Sequence, residues 1–134
     1  MATEFKRKIM TNVPFTALPN TTNDTSTLYK TPPNCDTVII GMLLTNTSGS
    51  SITADVLLAS EAGTAGPEDG TLGDENVYII KGAQIPVGSA LEVISGKVVV
   101  ANTGSNAATG DFVQVRCSAA SSLDIIMSIL ENTP

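Results

Sequence analysis

Histidine and tryptophan are both missing from this 134-residue chain, and aromatic residues make up only 4% of it. The first absence removes the commonest general base and the commonest metal ligand. A serine or threonine nucleophile would need another base beside it. No Ser-x-x-Lys pattern and no Gly-x-Ser-x-Gly elbow supplies that context. These absences argue against an enzyme. Charge is scarce as well, at 15% of residues, where soluble domains usually carry about 25%. A surface so poor in charge is finished with hydroxyls and amides, or is partly covered by a partner.

Cysteine is limited to Cys35 and Cys117. Without an apolar run of signal-peptide length behind the basic opening residues, the two are expected to be reduced. No run of 18 apolar residues is present, which excludes a transmembrane helix. The net charge of −6 opposes nucleic-acid binding, because phosphate contacts require a basic surface. Neither a membrane nor a nucleic acid is therefore expected as a partner, and no cofactor is expected.

What the chain does have is a succession of short apolar runs separated by Ser/Thr/Asn/Gly stretches. Residues 1–12 read as an N-terminal arm or edge strand, with Ile9 and Met10 at its apolar end, and 13–134 as the main domain. Strands are expected at Thr27 to Lys30, Asp36 to Thr45, Ile52 to Ser60, Val77 to Lys81, Ala90 to Ile94, Lys97 to Ala101 and Phe112 to Ser118. Asp36 to Thr45 is apolar at nearly every position, which predicts a central strand covered on two sides. Ser95-Gly96 reads as a two-residue hairpin turn between its flanking strands. The last block fits two periods. Leu123, Ile126, Met127 and Leu130 fall on one helix face, whereas Leu123, Ile125, Met127 and Ile129 fall on one strand face. The β-rich context favours the strand. Eight or nine strands in about 130 residues predict an all-β antiparallel sandwich, jelly-roll-like.

Two charged clusters stand out. Glu61, Glu68, Asp69, Asp74 and Glu75 lie within fifteen residues that hold no basic side chain. Oxygen ligands on a glycine-containing loop would suit Ca²⁺, but the spacing matches no EF-hand. The plainer reading is a solvated loop facing a partner, with Glu68, Asp69, Asp74 and Glu75 at the interface. Lys6, Arg7 and Lys8 hold three of the seven basic residues, next to Phe5. They read either as a docking arm for an acidic neighbour or as charges that guard a sheet edge. The polar stretches Asn20 to Thr27 and Ser105 to Thr109 could offer hydroxyls to a sugar, though a carbohydrate site generally also needs an aromatic platform.

Several segments together suggest a family. They are the opening Met1-Ala2-Thr3 with Phe5-Lys6-Arg7-Lys8, then Thr37-Val38-Ile39-Ile40-Gly41, the turn Thr45-Asn46-Thr47-Ser48, and Ile52-Thr53-Ala54-Asp55-Val56. Val77-Tyr78-Ile79-Ile80-Lys81, Ile85-Pro86-Val87-Gly88-Ser89 and the closing Leu123 to Glu131 continue the order. In this order the chain resembles small virion structural proteins of tailed bacteriophages, marine and cyanobacterial ones especially. The Glu61–Asn76 stretch is longer and more acidic than that pattern. The resemblance implies a capsid decoration or cement subunit, located in the virion after synthesis in the host cytoplasm. Its partners would be the major capsid protein or other virion proteins, and it would form a homo-oligomer, for which a trimer at a local three-fold suits the role. A neck or tail accessory protein and a host-surface glycan-binding module are the alternatives. In this reading Phe5, Lys6, Arg7 and Lys8 dock by strand addition and charge pairing.

Overall fold

A computed structural model describes residues 2–15, 18, 26–59, 76–94, 96–102 and 110–133. Nine strands are found among them. In chain order they are β1 (Ala2–Met10), β2 (Thr27–Lys30), β3 (Cys35–Asn46), β4 (Ile52–Ala59), β5 (Asn76–Ile85), β6 (Ala90–Ile94), β7 (Val98–Asn102), β8 (Phe112–Cys117) and β9 (Leu123–Thr133). One sheet has the order β1-β9-β3-β6, with β7 also paired to β3, and the other has the order β2-β8-β4-β5. All pairings are antiparallel. The fold is an all-β sandwich.

The connectivity is that of a jelly roll. β1 pairs with β9, β2 with β8, β3 with β6 and β7, and β4 with β5. This is one long antiparallel ribbon, folded over so that successive pairs lie in opposite sheets. Counting β6 and β7 as one interrupted strand gives the eight strands of that topology. They cannot form the hairpin expected at Ser95-Gly96. Both run antiparallel to β3, β7 against Cys35–Ile39 and β6 against Met42–Thr45. They therefore point the same way along consecutive halves of one neighbour. β6 and β7 are thus not a hairpin pair.

The interior is filled from both sheets. Ile125, Met127 and Ile129 of β9, and Ile39, Met42 and Leu44 of β3, meet Val113, Val115 and Cys117 of β8 and Ile52, Ala54 and Val56 of β4. Each fully buried aliphatic side chain contributes roughly 1.5–3 kcal/mol. The closing block is a strand, and its odd residues are the ones that point inward. Cys35 and Cys117 are buried free thiols, one in each sheet.

β3 departs from its expected two-sided cover. Ile39 pairs with Ile129 and Gly41 with Ser128, so Ile40 is an extra residue opposite β9. Such a bulge reverses the alternation. Before it the odd residues Cys35, Thr37 and Ile39 are buried, and after it the even residues Met42, Leu44 and Asn46 are. The apolar residues left over, Val38, Ile40 and Leu43, point away from the core. Ile40 and Leu43 are exposed.

The turns between strands follow their residues. The buried Asn46 side chain donates to the carbonyls of Ser50 (2.8 Å) and Ile85 (3.0 Å) and accepts from the Ser48 amide (2.9 Å). It ties the β3–β4 turn to the end of β5. Asn34, after Pro32-Pro33, takes the left-handed conformation (φ 54°), which Asn tolerates better than most residues.

Candidate docking surface

Alternation and register together decide which residues reach the outside of the first sheet. On β1 the outward positions are Thr3, Phe5, Arg7 and Ile9, and on β9 they are Asp124, Ile126, Ser128, Leu130 and Asn132. Registered pairs carry apolar side chains straight across the strands. Phe5 faces Leu130, Leu130 faces Val38, and Val38 faces Val99, which makes a four-strand apolar row. A second row joins Ile9, Ile126 and Leu43 and ends at Glu92. Between them lie Arg7, Ser128 and Gly41, with the bulged Ile40 beside them.

Among the described residues, six of the nine exposed large hydrophobic side chains belong to this face: Phe5, Ile9, Ile40, Leu43, Val99 and Ile126. Phe5 is 79% exposed and Ile9 58%. A shallow depression of about 330 Å³ sits at the bulge, bordered by Ile40, Leu43, Glu92 and Ile126. Scattered exposed hydrophobics need no explanation, whereas a contiguous patch makes a candidate docking surface. Cross-strand rows on one face form such a patch.

β1 places its four candidate interface residues on two different faces. Phe5 and Arg7 lie on the outer apolar face. Lys6 and Lys8 point the other way, toward β2, because neighbours on a strand alternate. Lys6 Nζ is 2.8 Å from Glu131 Oε1, and Lys8 Nζ lies 5.6 Å from the centre of the Tyr29 ring. With Lys30 they border a groove of about 410 Å³ between the two sheets. The basic run is thus not one patch. Its charges are divided between the outer face and an inner groove. Glu68, Asp69, Asp74 and Glu75, like Ser105 to Thr109, lie outside the described residues.

Beneath the groove is a small buried polar network. The Tyr29 hydroxyl donates to Glu131 Oε2 (2.7 Å), which leaves Thr37 Oγ1 (2.8 Å) to donate to the tyrosine oxygen. Burial would raise the Glu131 carboxyl, but the hydrogen bonds from Lys6 and Tyr29 and the charges of Lys6 and Lys8 outweigh it. The group is held below the usual carboxylate range. The hydrogen bond to Glu131 and the charge of that carboxylate raise Lys6 in turn. Burial is the main effect and raises Tyr29; the Thr37 hydrogen bond opposes it, and the weaker hydrogen bond to Glu131 and that carboxylate's charge add to the rise, so it stays protonated. The network fastens β1 and β2 to β9.

Among the described residues no group of three or more Cys, Asp or Glu side chains is placed to hold a metal ion. No helix among them is long and apolar enough to cross a membrane. Val38, Ile40, Leu43, Val99, Ile126 and Leu130 are the surface residues that sequence reasoning missed. The surplus of apolar residues in Asp36 to Thr45 was the available signal, but it reads equally as a strand covered on both sides. The chain matches no protein-family model, no curated protein and no solved structure.

Proposed function

We propose that this chain is a non-enzymatic structural subunit of a phage particle, a capsid decoration protein that clamps onto the major capsid lattice. The observation that carries this reading is the outer face of the first sheet, where one apolar row crosses four strands and a second crosses three, with Phe5, Ile9, Ile40, Leu43, Val99 and Ile126 exposed to solvent. A chain with few charges and a broad apolar face gains by covering that face, since burial of apolar area is the main favourable term in association. The fold agrees by analogy, because jelly rolls recur in viral coat proteins, although a fold alone fixes no function. The resemblance of the segment order to small virion proteins points the same way. Many copies, each making modest contacts with a repeating lattice, would hold together through avidity.

The test uses particles assembled with the wild-type chain or with Ile126→Lys or Leu43→Lys. Both substitutions put a charge at the centre of the face while leaving the core alone. Occupancy on the particle should fall at least tenfold, which corresponds to about 1.4 kcal/mol per site. Unchanged occupancy removes the outer face from the mechanism. Counting copies then separates the locations. Hundreds per particle mark a lattice protein, whereas about a dozen mark the symmetric neck or tail. A selective hit on a glycan array would replace the reading with an adhesin.

A further inference from the structure

We infer that β1 pairs with β1 of a second copy across a two-fold axis at Phe5, joining two first sheets into one continuous sheet. Among the described residues β1 has a single in-sheet neighbour, β9, along all nine of its residues. Among the described residues its other edge has no strand neighbour, and such an edge is a template for strand addition. After β1 the described chain crosses to the other sheet, where the Pro14 carbonyl accepts from the Cys117 amide and the Phe15 carbonyl from the Arg116 side chain. A closed pair of identical edges must be antiparallel, because the two-fold reverses the strand.

Among axes placed within the charged run of β1, the charges select the register. Facing residues must lie on the same side of the joined sheet, so the axis passes through a residue and not between two. Of the five residues Glu4 to Lys8 only Phe5 is uncharged. Centring the axis on Glu4, Lys6, Arg7 or Lys8 sets a charge against its own copy, which is unfavourable for directly opposed residues. Centring it on Phe5 sets Glu4 opposite the second copy's Lys6, twice over, and Thr3 opposite the second copy's Arg7. The Phe5 rings, the most exposed large hydrophobic side chains described, then meet at the axis. The run Phe5-Leu130-Val38-Val99 becomes a single apolar row across eight strands, about 34 Å at a 4.8 Å strand spacing. The pair is two-fold, where the family resemblance suggested a three-fold. It does not depend on the capsid reading, although it would double the surface offered there.

Cysteine cross-linking with a solution mass measurement tests the pairing. By light scattering the wild-type chain should have twice its 13.8 kDa mass. Under mild oxidation Phe5→Cys should convert most of the protein to a disulfide-linked dimer, since opposed Cα atoms at about 4.5–5.5 Å suit a disulfide. Ile9→Cys should not, because its mate is about 27 Å away along the strand. Cys35 and Cys117 are buried and do not compete. Glu4→Lys, at an exposed position, should weaken the dimer about tenfold or more by setting lysine against lysine. A monomeric or trimeric mass, cross-linking of Ile9→Cys as readily as Phe5→Cys, or no effect of Glu4→Lys overturns the proposal. Particle occupancy of Ile126→Lys is read separately, so the two ideas fail independently.

Discussion

Glu131 is buried, charged and satisfied, and so its contribution to stability is a function of pH. Its carboxyl is held below the ordinary range of about 4.5 in the folded chain. Folding therefore favours the ionised form, and this stabilisation is fully present above the unfolded value. It is lost as pH falls through the lower, folded value. Stability measured by urea denaturation should decline on acidification below about pH 4.5, and Glu131→Gln should flatten that decline. Tyr29→Phe removes the hydroxyl shared by Thr37 and Glu131 and should cost about 1–2 kcal/mol in the same assay. Gly110 is a steric case. A Cβ there would come within 2.7 Å of the Thr31 carbonyl and 2.9 Å of the Asn102 side chain. Gly110→Ala should lower stability by about 1–3 kcal/mol, the usual cost of overpacking.

Within an element, adjacent residues have opposite fates. Ile126 and Met127 are neighbours on β9, one on the open face and the other wholly buried. Met127→Ala should cost about 2–5 kcal/mol through lost burial and a cavity. Ile126→Lys should change stability by about 0.5 kcal/mol or less, as surface substitutions do. Thermal unfolding of the two variants checks the alternation directly, and similar losses would contradict it. Most strands were legible from their residues. Thr27 to Lys30 has the expected ends, and Val113, Val115 and Cys117 face the core as their spacing suggested. β3 was located correctly and its environment misjudged, because one bulged residue, Ile40, exchanges the inward and outward sets midway. A sequence window averaging over that switch sees apolar residues on both faces. β6 and β7 were also located correctly, but their relation was not legible. A Ser-Gly dipeptide suits a reversal or an interruption equally well, and only the long-range pairing with β3 chooses.

For the molecule as a whole, topology governs how it folds. β1 pairs with β9 across more than 110 residues of chain, Ala2 with Thr133 at one end. Loop closure over such separations must precede any reward from the contacts. Refolding followed by stopped-flow fluorescence of the tyrosines should fall in the millisecond-to-second range of non-local β proteins. A microsecond phase accounting for the full signal would be inconsistent with this pairing order.

Local chemistry alone determined that this chain builds strands, since β-branched runs between Ser/Thr/Asn/Gly turns have few other uses. The missing histidine likewise narrows the chemistry open to it. Which apolar residues would be buried was decided only in three dimensions, because a side chain's exposure depends on the strand lying across from it and on a single bulge that alternation cannot foretell. The division of Phe5, Lys6, Arg7 and Lys8 between an outer face and an inner groove has the same origin: a pleated strand turns neighbours in sequence into residents of opposite surfaces.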